Sequence, residues 1–186
     1  DGGDGTTLVD GDGDGYDSCG EDCDDSDADK NPDVDADGDG FSACDDCDDA
    51  DAAFTTLGAY YLYEDGIMEE VGDSLADGSL ALTEDGILRI CPGEWDVNLD
   101  VQADLMIEGT WGPEHTILRP ADGGSAVSVV TDDLNVWIGN LTLSGGTGTS
   151  TFIGDTEITA GGGVYCESAS TVQIGDAILT ENEAER

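Results

Sequence analysis

The spacing of apolar side chains divides this chain in two. Before Phe54 the large apolar residues are Leu8, Val9, Tyr16, Val34 and Phe41. That set is too small for a core, so ions and disulfides have to replace one. From Gly86 onward the pattern changes. Short β-type runs recur at Ile87–Ile90, Val97–Val101, Leu105–Ile107, Thr116–Leu118, Ala126–Val130, Leu134–Ile138, Leu141–Leu143, Gly163–Tyr165, Thr171–Ile174 and Ala177–Leu179. Most alternate one side chain in and one out, and Gly, Asp, Asn or Pro marks the breaks. Strands this short, returning at such short intervals, predict stacked coils. The expectation is an all-β chain ending in a parallel β-helix of about three to four coils, at roughly 20–30 residues per coil. A β-sandwich would need longer strands joined by hairpins. Residues 1–54 are expected to form an irregular module, residues 86–186 the β-helix, and residues 55–85 a connector that also covers its first turn. Within the connector Leu57–Tyr63 is β-type, and Ser74 is placed to cap a short helix that Gly78 weakens.

One acidic pattern is written twice in the first module. The copies lie 25 residues apart from Asp10 (against Asp35) to Cys19, and 24 apart from Cys23 (against Cys47) onward, after a one-residue deletion. A calcium loop takes oxygen ligands at its positions 1, 3 and 5, a backbone carbonyl at 7 and a direct or water-mediated ligand at 9. A carboxylate stands at 12, and a glycine at 6 permits the turn. On that numbering the first copy supplies Asp10, Asp12, Asp14, the Tyr16 carbonyl, Ser18 and Glu21 around Gly15. The second supplies Asp35, Asp37, Asp39, the Phe41 carbonyl and Asp46 around Gly40, with Ala43 at the ninth position implying water. Carboxylate oxygens select a hard cation, and the spacing of His or thiolate ligands that zinc would want is missing. At least two calcium ions are therefore expected. Further carboxylates follow each loop: Asp22, Asp24, Asp25 and Asp27, then Asp48, Asp49 and Asp51. They bind additional ions shared between loops, or they are simply solvated. The flanks of Asp, Gly and Pro32 are poor helix formers, so the loops are not expected to be bracketed by helices.

The chain has 45 acidic and 4 basic residues among 186, a formal charge of −41. Such a chain repels nucleic acid and anionic membrane surfaces, which are bound through Lys and Arg. Lys30, Arg89, Arg119 and Arg186 lie far apart in sequence and offer no basic patch. Self-repulsion opposes compaction, which makes divalent cations part of the fold. No run reaches the roughly 18 apolar residues of a membrane span. The opening Asp1-Gly-Gly-Asp4-Gly5 reads like the tail of another acidic repeat, as in a processed product or a piece of a longer chain. Six cysteines in this context predict disulfides and an oxidising compartment. Cys19 and Cys23 match Cys44 and Cys47, and each pair is expected to close a small local ring around the carboxylates. A redox role for Cys44 and Cys47 would need a positive environment, and Asp45, Asp46 and Asp48 supply the opposite. Cys91 and Cys166 are 75 positions apart. Coils lie about 4.8 Å apart and a disulfide needs Cα atoms within about 7 Å, so these two are not expected to bond to each other.

The DxDGDGY…DCDDxD form of residues 10–54 resembles thrombospondin type 3 calcium repeats. It is closer still to the metal-binding-motif repeats of bacterial secreted and surface proteins. The stretch Asp85-Gly86-Ile87-Leu88-Arg89-Ile90-Cys91-Pro92-Gly93-Glu94-Trp95 resembles the opening of right-handed parallel β-helix (pectin-lyase-like) proteins. Leu105-Met-Ile107-Glu-Gly109, Ile138-Gly-Asn-Leu141-Thr-Leu143 and Gly161-Gly-Gly163-Val-Tyr165 continue that pattern. Ile178-Leu-Thr-Glu-Asn182-Glu-Ala184 is similar to the repeats of polymorphic outer-membrane proteins. Together these resemblances imply a secreted, calcium-loaded module at a bacterial cell surface, structural or adhesive in function. The expected partners are further copies in a calcium-dependent fibre, further repeats of a longer chain, or a surface polysaccharide. The alternative they imply is a fragment of a carbohydrate-active enzyme.

Candidate chemistry outside the acidic repeats is sparse. A lyase wants a basic residue beside clustered calcium-binding acids, and neither Arg89 nor Arg119 has such a constellation nearby in sequence. A glycosidase wants two carboxylates facing each other across a groove, whereas Asp132 and Asp133 are adjacent in a turn. No catalytic residue is assigned, since fold alone does not confer function. His115 reads as a surface residue of a turn. Asn140 fits an N-glycosylation pattern and equally suits a coil corner. Trp95, Trp111 and Trp137 are candidates for a sugar platform, although Trp137, inside an alternating run, reads as packing.

Overall fold

Residues 10–17, 22–52, 54, 58–63, 68–70, 75, 78–153, 156–167 and 169–184 are described by the computed structural model. The chain divides into two units, Asp1–Leu57 and Gly58–Arg186. Among the described residues every strand lies in the second unit. The first nine are β1 (Ala59–Tyr63), β2 (Met68–Glu70), β3 (Ser79–Leu82), β4 (Gly86–Ile90), β5 (Gly93–Asp96), β6 (Asn98–Val101), β7 (Leu105–Gly109), β8 (Thr116–Arg119) and β9 (Val127–Val129). There follow β10 (Asn135–Gly139), β11 (Thr142–Ser144), β12 (Thr149–Ile153), β13 (Thr156–Ala160), β14 (Val164–Cys166), β15 (Thr171–Gly175) and β16 (Ile178–Thr180).

Strand order is β15-β10-β7-β4-β1-β2 in one sheet, β16-β11-β8-β5 in a second and β14-β9-β6-β3 in a third. From β3 the chain visits the third, first and second sheets in rotation, interrupted once by the β12–β13 hairpin. Pairing within this rotation is parallel throughout. The unit is thus all-β with parallel sheets, an arrangement compatible with the expected β-helix. The β1 strand of the connector extends the first sheet antiparallel to β4, and β2 follows it antiparallel. Leu75 is helical and buried; Ser74 lies outside the described residues. No helix among the described residues is long and apolar enough to cross a membrane.

Alternation along each strand decides what faces inward. Leu88, Ile107, Ile138 and Ile174 stand in register across the first sheet. Trp95, Leu118, Leu143 and Leu179 do so across the second, and Leu82, Val101, Val129 and Cys166 across the third. Leu88, Ile107, Ile138, Leu118, Leu143, Val101 and Val129 have no solvent exposure. Fully burying such an aliphatic side chain contributes about 1.5–3 kcal/mol. The last rung differs: Ile174 is 43% and Leu179 50% exposed, because β15 and β16 are outermost in their sheets.

All ten predicted β-type runs overlap a strand. The strand β5, Gly-Glu-Trp-Asp, is not among the predicted runs, since four residues with one large apolar side chain give a weak signal; parallel pairing with β8 holds it extended. The hairpin is likewise new. Asn140 turns a coil corner: it and Asp176 take left-handed φ values of 54° and 49° after β10 and β15, a region Asn and Asp tolerate best among side-chain-bearing residues. The Asn140 N–H donates to the Asp176 carbonyl at 3.0 Å, tying one corner to the next.

Candidate metal centre

The two acidic loops fold alike. Gly13 and Gly38 have φ values of 87° and 79°, and Gly15 and Gly40 of 103° and 102°. A Cβ resists this region, which is the reason glycine recurs at these places. Asp10 accepts the Gly13 and Gly15 N–H groups at 2.6 and 3.1 Å, and Asp35 accepts those of Gly38 and Gly40 at 2.7 and 3.2 Å. The Asp14 N–H donates to Asp12 at 3.1 Å and the Asp39 N–H to Asp37 at 3.2 Å. The Tyr16 N–H donates to Asp14, and the Phe41 N–H to Asp39, both at 2.8 Å. Each loop is then closed by a later carboxylate: Gly11 donates to Asp25 at 2.8 Å, Ala36 to Asp49 at 2.9 Å.

These bonds occupy both oxygens of Asp10 and Asp35 but only one of Asp12, Asp37 and Asp39, and leave others without a donor. The Oδ2 atoms of Asp12, Asp22, Asp37, Asp39 and Asp46 are buried and accept no hydrogen bond. A buried, unsatisfied anionic oxygen is costly unless a cation meets it. Carboxylate oxygens of Asp10, Asp12 and Asp14 lie within 4.8 Å of one another; so do those of Asp37, Asp39 and Asp46, and those of Asp35, Asp37 and Asp49. Asp37 belongs to two of the three groups. Asp46 has no solvent exposure at all.

Electrostatics follow from this crowding. Desolvation first, then the charges of Asp39 and Asp37, push the Asp46 carboxyl up to about 6, against the lowering effect of the Asp48 and Cys47 N–H groups. Desolvation likewise raises Asp12, helped by Asp14, Asp22 and Asp10, and raises Asp37, helped by Asp39, Asp35 and Asp49. The sign for stability is definite. A carboxyl whose folded pKa lies above its unfolded 3.8 favours the ion-free fold at low pH, and that contribution is lost as pH rises through about 6. A bound cation reverses the preference, since it binds the carboxylate form.

The structure thus brings together Asp10, Asp12 and Asp14 in one copy and Asp35, Asp37, Asp39 and Asp46 in the other. Ser18, Cys19 and Glu21 lie outside the described residues. The described counterpart of Asp46 is Asp22, which adds its charge beside Asp12; the 24-residue offset that aligns Cys23 with Cys47 was the signal for it. Among the other flanking acids, Asp25 and Asp49 close loops, while Asp24, Asp27 and Asp48 cap turns. They accept the N–H groups of Ser26, Asp29 and Ala50 at 3.2, 3.3 and 3.4 Å. Asp51 is exposed.

The local cysteine rings are corrected. Cys23 bonds to Cys44, 21 residues away, with Cα atoms 5.4 Å apart, so the bridge joins the two copies. The Ala43 N–H, donating to the Val34 carbonyl at 2.8 Å, folds the second loop back and brings Cys44 to this point. Closing a loop of this size stabilises by about 3 kcal/mol. Cys47 and Cys91 are also disulfide-bonded, and Cys166 is a free, exposed thiol.

The candidates of the second unit do not converge. Arg89 pairs with Glu108 at 2.8 Å across β4 and β7, and Arg119 pairs with Glu94 across β8 and β5, which holds the Glu94 carboxyl low. Each of these two arginines therefore has a carboxylate partner that sequence proximity did not suggest. Asp132 and Asp133 are exposed in a turn, and Asp132 accepts the Ala169 N–H at 3.3 Å. Trp95 packs against the core and donates to the Cys91 carbonyl at 3.1 Å. Trp111 meets His115 edge-on at 5.8 Å. Trp137, read as packing, lies on the face opposite the buried Val136 and Ile138, half-buried, with its ring over Gly139 and close to Gly175. Three tryptophans in three settings make no common platform. No family model, no curated protein and no solved structure matches this chain.

Proposed function

We propose that this is an extracellular calcium-binding structural protein: an acidic unit folded by its ions, joined in sequence to a right-handed parallel β-helix. The observation that carries the reading is Asp46, a carboxylate with no solvent exposure whose second oxygen has no donor and sits within 4.8 Å of oxygens of Asp37 and Asp39. An all-oxygen donor set suits a hard cation of calcium's kind. Asp10, Asp12 and Asp14, with Asp22, would hold one ion; Asp37, Asp39 and Asp46 would hold another. Asp37 would bridge to a further ion at Asp35 and Asp49. The Tyr16 and Phe41 carbonyls complete the sets expected from the loop pattern. Disulfides fit an oxidising setting, and arginines engaged in ion pairs fit a structural role better than a catalytic one.

Calorimetric titration of the full chain tests this. Calcium is expected to bind at two or more sites and, near pH 6, to expel protons from Asp46, whose carboxyl is pushed up to about 6; by about pH 8 that proton release should vanish. A chain that takes up no calcium at millimolar concentration ends the proposal.

Assembly belongs to the same reading. Among the described residues Ile174 and Leu179 are exposed on outermost strands, and the edges of β14, β15 and β16 offer templates for pairing with another copy. At −41 such association needs cations to offset repulsion. Light scattering should therefore show larger species with calcium than with EDTA. A monomer in both conditions removes self-assembly from the proposal.

A further inference from the structure

One buried amide ties the first acidic loop to the segment that leads into the second. Asn31 is 6% exposed and stands between the two loops in sequence. Its Nδ2 donates to Asp14 Oδ2 at 2.8 Å and to the Ala28 carbonyl at 3.0 Å, and its Oδ1 accepts the Asp33 N–H at 3.0 Å. The partners settle the orientation of this amide, because carboxylate and carbonyl oxygens only accept and a backbone N–H only donates. The Tyr16 hydroxyl donates to the Asp33 carboxylate at 2.6 Å and ties the same two segments a second time. Two residues beyond Asp33, Asp35 opens the second loop. The copies differ here: Asp14 Oδ2 is held by Asn31, while the equivalent oxygen of Asp39 is buried without a donor.

We propose that Asn31 is a positioning residue that couples the two ion sites, so that filling one loop raises the affinity of the other. The inference rests on the metal-binding reading of the loops given above. Asp14 supplies one oxygen to the Tyr16 N–H and the other to Asn31. Any turn of that carboxylate toward an ion is therefore felt by the amide that also fixes the Asp33 N–H. Through Asp33, the entry of the chain into Asp35 and its ladder of N–H groups is set. Linkage makes the effect reciprocal: an ion in the second loop orders Asp33, hence Asn31, hence Asp14.

The test is a thermodynamic cycle on the full chain, with calcium as the probe and calorimetry as the readout. Asp37→Asn disables the second loop and leaves the first; Asp12→Asn does the reverse. In the unaltered chain, the product of the two loop affinities is expected to exceed the product from these single-loop variants about tenfold. Asn31→Ala should remove that excess to within about twofold, the limit of additivity for independent sites. A merely structural role would weaken both loops and leave the excess in place. Tyr16→Phe keeps the backbone carbonyl, removes one exposed hydroxyl and should reduce the excess part-way, so the proposal stays testable if Asn31→Ala fails to fold. No excess in the unaltered chain, or an excess that survives Tyr16→Phe and Asn31→Ala undiminished, overturns the coupling. Absence of calcium uptake by the unaltered chain overturns the reading of the loops instead.

Discussion

EDTA is expected to unfold the acidic unit while the sheets of Gly58–Arg186 stay intact. The buried residues of the first unit include Ala43, Cys47, Phe54, Asn31 and Asp46, a set with one large apolar side chain and one carboxylate. Apolar burial on that scale does not offset the entropy of ordering the backbone. Without cations the crowded oxygens of Asp10, Asp12 and Asp14, and of Asp37, Asp39 and Asp46, repel one another. An ion at about 1,000 times its Kd adds about 4 kcal/mol, and two such ions approach the whole stability of a small domain. Hydrogen exchange should lose protection at Gly13, Gly15, Gly38 and Gly40, whose N–H groups are held by Asp10 and Asp35. Protection in β4, β7 and β10 should persist. If chelation erased the whole β signal in circular dichroism, the units would have to be one cooperative structure.

Leu143→Ala should destabilise the second unit by about 3 kcal/mol, within the range of roughly 2–5 for emptying a leucine site in a core. Leu143 has no exposure and stands between Leu118 and Leu179 in the second sheet. Leu179→Ala, the same chemistry one rung further along, should cost under about 1 kcal/mol, because half of Leu179 already faces water. Urea denaturation in the presence of calcium separates the two. Equal losses would mean that Leu179 is as covered as Leu143, and that the register assigned here is wrong or its outer face is occupied.

What the chain reveals without its structure is what local rules control. Glycine at 13, 15, 38 and 40 and aspartate at alternate places between them define a turn whose own N–H groups donate to carboxylates only two to five residues back, so its form is written in that short stretch. The ladders are also readable, because alternation in runs such as Val136–Ile138 sorts side chains onto two faces. Pairing over long separations is another matter. Cys23 and Cys19 are neighbours in sequence, yet Cys23 bonds to Cys44 because the Ala43–Val34 contact brings that residue near. Arg89 finds Glu108 and Asp14 finds Asn31, 19 and 17 residues away, only once strands and loops have stacked. Trp137 faces out for the same reason: alternation names two faces, and only packing against neighbouring strands says which one the core takes. Short-range geometry belongs to the sequence, and the partners of charged and sulfur-bearing side chains belong to the folded chain, since many positions compete for each of them until the backbone is in place.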